Sequence, residues 1–163
     1  MQIDHMTAAD WSDVSAIYAE GIAARSATFE TELPSWKYWD THHLPNCRFV
    51  ARDDADVLGW VALSAVSRRH CYRGVAELSV YVRASAHGRG VGRALLEHLI
   101  VASEADGIWM LQGVTFPENG ASIRLHESCG FRIVGRRERV AQLDGRWRDT
   151  VLMERRSAIV GTE

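Results

Sequence analysis

A mixed α/β domain is predicted by three features of the 163-residue chain. Val75–Val82 alternates between apolar and polar residues, the period of a strand. A glycine-rich turn, Gly88-Arg89-Gly90-Val91-Gly92, follows it and opens a segment of helical period, with Val91, Leu95, Leu99 and Ala102 on one stripe. Near the end, Asp144-Gly145 between two strand-like runs is a strong hairpin signal. A crossover and hairpins in one chain belong to the mixed α/β class.

The elements read as follows. Met1–Met6 is a short first strand. Thr7 or Asp10 caps a helix with Trp11, Val14, Ile17 and Tyr18 on one face. Arg25–Pro34 is polar and turn-rich, hence a loop, and Ser35–His43 is a second short helix. Arg48–Arg52 and Val57–Ala65 are strands joined by the acidic turn Asp53-Asp54-Ala55-Asp56. In Val75–Val82, Ala76, Leu78, Val80 and Val82 point one way; Glu77, Ser79 and Tyr81 point the other. The helix after the glycine turn runs to about Ala105, and Met110–Thr115 is a buried strand. Asn119 caps a helix reaching Cys129, where Gly130 fits a C-terminal stop. Arg132–Ala141 and Trp147–Met153 close the order β-α-α-β-β-β-α-β-α-β-β. Repeats are absent and Pro34, Pro45 and Pro117 are scattered, so residues 1–163 form one domain with a core of about 3–155 and a short tail. Trp36, Trp39, Trp60, Trp109 and Trp147 are expected in the core or an interface, and His42 and His43 facing solvent.

Apolar residues make up 47% of the chain, enough for a full core without staples. The net charge of −2 gives no overall attraction to nucleic acid or an anionic membrane, so an anionic ligand must be held by a local site. Cys47, Cys71 and Cys129 are odd in number and widely spaced, which fits a reducing compartment and argues against disulfides and structural zinc; no metal site is expected. A signal pattern and a membrane-length apolar run are lacking, and the expected location is the cytoplasm.

The glycine turn has the makings of an anion site. Helix N-terminal N–H groups are unpaired, the helix dipole favours negative charge, and glycines let backbone approach a phosphate. Arg89 and Arg93 add positive charge. A tight turn without a ligand fits the composition equally. The P-loop string is missing, and against the dinucleotide fingerprint G-x-G-x-x-G the third glycine is misplaced.

The run His87-Gly88-Arg89-Gly90-Val91-Gly92 resembles the acetyl-CoA signature R/Q-x-x-G-x-G/A of the GNAT N-acetyltransferase superfamily, with Gly90 and Gly92 matching and His87 in place of Arg or Gln. Within it the chain is similar to the phosphinothricin and methionine sulfoximine acetyltransferase group, from about Ile3 to Met153. The segments that carry this are Ser26–Thr31, Tyr72–Val82, Asn119–Phe131 and Gly145–Asp149. The resemblance implies a mixed, mostly antiparallel sheet of six to seven strands with about four helices, and central strands that splay to admit the cofactor. It further implies a homodimer, and transfer of acetyl from acetyl-CoA to the primary amine of a small amino acid-like acceptor.

Transfer needs a neutral amine, and an alkyl ammonium has a pKa of about 10, so a base is required. Glu77 is the candidate, a role the resemblance also assigns it. From Glu77 to Val82 an extended strand covers roughly 17 Å, comparable to a pantetheine arm. The rival reading is a solvent-facing glutamate. His126 stands where many superfamily members carry a tyrosine and can serve as general acid, or merely pack as a helix residue. The resemblance implies backbone pairing of the arm at Leu78, Val80 and Val82, with an oxyanion donor near Leu78, and side-chain contacts from Asn119 and Ser122, which also suit helix capping. It places Phe29, Glu30 and Thr31 at the acceptor pocket, with Arg69 and Tyr72 matching an R-x-x-Y approach to the catalytic strand. Arg69 can hold a carboxylate, while Ser67 replaces a second arginine the group often shows; an exposed basic loop is the plain alternative. Other acceptors on the same fold, a protein N-terminus, polyamine or aminoglycoside, remain open. So do a non-catalytic acyl-CoA-binding module and a nicotinamide oxidoreductase.

Overall fold

The computed structural model describes residues 1–163. Strand β1 (Gln2–His5) leads into helix α1 (Trp11–Ala23), and a loop joins α1 to the short α2 (Trp36–His42). Strands β2 (Arg48–Asp53), β3 (Asp56–Ala65) and β4 (Val75–Val82) follow. Then come α3 (Val91–Ala105), β5 (Met110–Thr115), α4 (Gly120–Ser128), β6 (Arg132–Leu143) and β7 (Arg146–Arg156). This order is the one the sequence indicates, with single 3-10 turns added at Ala8–Asp10, His70–Tyr72 and Ala84–Ala86. One seven-stranded sheet runs β1-β2-β3-β4-β5-β7-β6. Its neighbours are antiparallel except β4 with β5, the pair that α3 connects.

Local chemistry starts and stops these elements. The Asp10 carboxylate accepts from the Thr7 N–H and hydroxyl at 2.8 and 3.0 Å, fixing the entry to α1, and from Arg52 at 2.6 Å. Ser35 accepts from the Tyr38 N–H and starts α2. Asp144 and Gly145 both take positive φ, 49° and 75°, as a two-residue hairpin turn demands. Because that turn needs only these two residues, β6 and β7 run on to Leu143 and from Arg146, longer than their sequence patterns suggest.

Helices cover both faces of the sheet. On one, Val91, Leu95, Leu96 and Leu99 of α3 pack with Ala76 and Leu78 of β4. Truncating such a fully buried leucine to alanine costs about 2–5 kcal/mol. On the other, Val14 and Ile17 of α1 and Trp39 of α2 pack on Trp60 and Ala62 of β3. Trp60 pairs with Tyr81 across β3 and β4, their rings stacked at 4.9 Å, so Glu77, Ser79 and Tyr81 share the face of α1 and α2. Trp39 and Trp60 are buried as expected, but Trp147 is 57% exposed and lies outside the core. His43 departs from the solvent-facing expectation: it is half-buried and stacked on Trp39, since α2 is pressed onto the sheet by that tryptophan. No helix is long and apolar enough to cross a membrane.

Candidate active site

Strands β4 and β5 part company in mid-sheet. They pair at Val75, Ala76 and Glu77 against Met110, Leu111 and Gln112, and no further. Beyond that point β4 keeps β3 as far as Val82, and β5 keeps β7 as far as Thr115. The sheet therefore forks immediately after Glu77. The Gly74 carbonyl accepts from Trp109 and Met110 on the β5 side, while the Glu77 carbonyl faces β3 and the Ser64 hydroxyl. Backbone groups alternate sides along a strand, so those of Leu78, Val80 and Val82 point into the fork. The Val82 carbonyl takes the His87 ring nitrogen at 2.9 Å. The Leu78 N–H is the last backbone group of β4 tied to β5, through Gln112, and the Leu78 carbonyl and Val80 find no partner on β5.

At the open end of the fork lies the glycine turn. Gly88 and Gly90 have φ of 76° and 79°, and a Cβ built on either would meet open space. Glycine is needed there for the left-handed backbone. Gly92 has a different reason: its Cβ would press to 3.1 Å from Leu125, so it lets α3 and α4 approach. Gly90 occupies the N-cap of α3 and offers no side chain to the helix amides. The N–H groups of Val91, Gly92 and Arg93 find no acceptor in the protein, and the first helical bond here runs from Ala94 to the Gly90 carbonyl. Three bare amides at a helix N-terminus fit a pyrophosphate.

A single cavity of about 800 Å3 joins the fork to the turn. Its wall includes Glu77 through Val82, His87, Gly88, Gly90 through Arg93, Asn119, Ser122 and His126. The loop after α1 supplies Phe29 and Glu30, and Phe29 packs edge-on against Phe116 at 4.9 Å. That loop is tied across the fork by Asn119, whose amide donates to the Ser26 carbonyl while its oxygen caps α4 through the Ser122 N–H. Tyr81, also on the wall, is half-buried, and loss of water around its ring pushes its phenol well above the ordinary tyrosine range.

Glu77 is held by a residue the sequence reading passed over. Gln112, its register partner on β5, donates from Nε2 to Glu77 Oε2 at 2.6 Å. Nothing in the β5 pattern marks Gln112; its role depends on a parallel register that alternation does not reveal. Thr150 of β7 was missed likewise: it is buried in the cavity wall, and its hydroxyl has no partner.

Several expected residues are placed elsewhere. Arg89 turns from the cavity and pairs with Asp53, and Arg93 lines it while bonded to Glu97 at 2.7 Å. Thr31, Arg69 and Tyr72 lie outside the wall; Arg69 rests over the Tyr72 ring at 5.6 Å, and Tyr72 is exposed. His126 is buried, with Nδ1 2.7 Å from the Ser122 carbonyl and Nε2 unpartnered. A carbonyl only accepts, so Nδ1 carries the hydrogen and Nε2 of the neutral ring is an acceptor. Burial holds the ring below the usual histidine range, with the Ser122 bond opposing. In this tautomer Nε2 is the ring atom that would have to gain a proton before His126 could act as the expected general acid. Gly113 makes room for the ring, because a Cβ there would stand 2.8 Å from Nε2.

The family model of the acetyltransferase (GNAT) family matches residues 11–131. The chain belongs to the GNAT acetyltransferase family. Among GNAT relatives, it is 36% identical to the phosphinothricin N-acetyltransferase of Alcaligenes faecalis, over 90% of this chain and 77% of that protein. It is 32% identical to the L-methionine sulfoximine/L-methionine sulfone acetyltransferase of Pseudomonas aeruginosa, over 90% and 88%. A GNAT superfamily phosphinothricin acetyltransferase from Sinorhizobium meliloti, solved in complex with AcCoA, superposes with a TM-score of 0.89 at 30% identity, over 99% of this chain and 91% of that one. The GNAT sheet with its central fork is thus the fold the sequence resemblance implied, and the protein is an acetyltransferase.

Proposed function

We propose that the protein transfers the acetyl group of acetyl-CoA to the primary amine of a small amino acid-like acceptor, of the phosphinothricin, methionine sulfoximine or methionine sulfone type. The observation that carries this is the fork that opens at Glu77 and leads, within one cavity, to the bare amides of Val91, Gly92 and Arg93. The acceptors named for the Alcaligenes and Pseudomonas relatives support the acceptor class.

Acetyl-CoA, when bound, supplies a thioester carbonyl for the amine to attack. The three amides and the α3 dipole hold its pyrophosphate, with Gly88 and Gly90 keeping side chains out of the way. His87 braces the Val82 carbonyl and thereby the rim of the turn. The Leu78 carbonyl and the backbone groups of Val80 pair with the pantetheine arm as an added strand, and a backbone N–H near Leu78 polarises the thioester carbonyl. Ser122 borders the arm, while Asn119 is committed to the α4 cap and to Ser26. Glu77, its Oε2 fixed by Gln112, takes the ammonium proton through the remaining oxygen. Phe29 and Glu30 wall the acceptor end. Arg69, Tyr72 and Thr31 lie outside this arrangement; CoA leaves as its thiolate, a tolerable leaving group without help, past His126 in the cavity wall.

Two finer points belong to the same reading. The protein works in the reducing cytoplasm, in keeping with its three free cysteines. It acts as a homodimer, with small molecules as its other partners. The test is an amine panel with acetyl-CoA and a free-thiol readout. Methionine sulfone and phosphinothricin are expected to release thiol; release with peptides alone would refute the small-acceptor reading.

A further inference from the structure

The acceptor end of the cavity is short of positive charge. Glu77 and Glu30 are in its wall, whereas the wall's basic residues, His87 and Arg93, stand at the glycine turn. An anionic side chain buried at this end would need a cation from beside the wall. Nearby arginines are engaged: Arg25 with Asp144, Arg83 with Asp13, and Arg69 over the Tyr72 ring. The exception is on β7.

Val151 and Met153 of β7 pack in the core with the α3 leucines. Side chains alternate along a strand, so Arg148 and Thr150 face the other way, toward the Glu77 side. Thr150 is 2% exposed and belongs to the cavity wall, and its hydroxyl has no partner. A hydroxyl carries one donor, and leaving it unused in the interior is unfavourable. Arg148 lies two residues nearer the hairpin tip, its guanidinium 4.1 Å over the Phe116 ring. Phe116 is in the cavity wall, and Phe29 meets the same ring edge-on. Of its five N–H donors Arg148 uses one, on Glu118 at 3.4 Å, a long bond to a side chain that is 65% exposed. A guanidinium stacked on a ring keeps its donor edge for an oxyanion. A hydroxyl donor and an under-used cation therefore flank Phe116 on one strand face.

Resting on the acetyl-transfer reading, we propose that Arg148 and Thr150 hold an anionic head on the acceptor's side chain. The spacing selects the side chain, not the α-carboxylate. Gln112, which holds Glu77, pairs with Glu154, and Thr150 lies four residues further along β7, roughly 13 Å away. The Glu77 arm and an amino acid with its acid at the γ position fill that interval; a carboxylate next to the amine does not reach across it. Thr150 donates to one oxygen of the head, and Arg148 balances its charge. Glu30 is exposed, so water and salt screen it. The favoured acceptor is then of the phosphinothricin kind, with a phosphinate or carboxylate head, over the neutral methionine sulfone.

The experiment measures kcat/KM for phosphinothricin and methionine sulfone by thiol release in the wild type, Arg148→Leu and Thr150→Val, with each variant's fold checked by thermal stabilisation with acetyl-CoA. The wild type is expected to favour phosphinothricin by about tenfold or more, and each variant to lower that ratio about tenfold. Thr150→Val carries a second readout. It keeps the shape and removes an unpaired hydroxyl, so the melting temperature of the free protein is expected to rise by about 2 °C or more. A lower melting temperature, or an unchanged ratio, removes Thr150 from the assignment; an unchanged ratio in Arg148→Leu removes Arg148. Methionine sulfone turned over as well as phosphinothricin by the wild type overturns the assignment whole and leaves acetyl transfer standing. Absence of thiol release with both acceptors and with every other amine overturns acetyl transfer and the assignment with it.

Discussion

Glu77 stands where it does because of strand parity and a break in pairing. Odd residues of β4 face α1 and α2, and Glu77 is the last of them bonded to β5. Glu77→Gln keeps the shape and removes the proton acceptor. Turnover should fall by about 10²–10⁴ while acetyl-CoA affinity, measured by calorimetry, holds; an unaltered rate near neutral pH would free Glu77 of the base role. Gln112→Leu removes the amide that fixes the carboxylate, and kcat should drop about tenfold with little change in acetyl-CoA affinity. Glu77 was legible in the sequence because alternation alone assigns its face. Gln112 was not, because only the folded register brings it opposite. His126 was legible as a position but not as a chemical state, since its tautomer is set by the Ser122 carbonyl one turn back. That state has a consequence for stability. The unfolded ring titrates at its ordinary 6.5 and the folded one lower, so below that pH the unfolded chain gains a proton the fold resists. The stabilisation is whole above pH 6.5 and is lost as pH falls, with His43 adding in the same direction. The melting temperature should decline between about pH 7.5 and 5.5, less so in His126→Gln; equal slopes in calorimetry would contradict this.

At the scale of elements, the glycine turn and the fork act as one device. The strand, turn and helix were all readable, because glycine placement and the apolar stripe of α3 are local signals. The fork was not readable from them: each strand keeps its outer partner and loses its inner one, and that is a property of three sheet neighbours together. It entered the sequence reading only through the family resemblance. The three glycines also looked alike in sequence, whereas Gly88 and Gly90 are required for left-handed backbone and Gly92 for clearance. Gly90→Val should therefore act through strain, not through a blocked approach. A β-branched residue in the left-handed region costs about 1–2 kcal/mol, and relaxing it would turn the Val91 and Gly92 amides away. Acetyl-CoA affinity is expected to weaken about tenfold or more in a calorimetric titration. Ordinary affinity in that variant would detach the turn from cofactor binding.

For the whole molecule, the decisive feature is the unpaired outer edge of β6. It ends the sheet order, and a free edge invites another chain. Ile133, Val134 and Val140 on β6 and Trp147 on β7 are each more than two-fifths exposed, an apolar surface on the hairpin nearest that edge. A salt bridge from Arg25 to Asp144 ties the hairpin tip to the loop that carries Phe29 and Glu30, so whatever covers the hairpin also steadies the acceptor end. A second copy is the economical cover, since a two-fold contact sets the same patch against itself. The symmetry sharpens the test, because one substitution then puts two charges into one interface. Trp147→Asp and Ile133→Asp should each convert a particle of twice the 18.3 kDa chain mass into a monomer in sedimentation equilibrium. Their turnover should drop as the Arg25–Asp144 tie loosens. Wild-type protein that sediments as a monomer at micromolar concentration would leave the hairpin without this role, and the exposed Trp147 without an explanation.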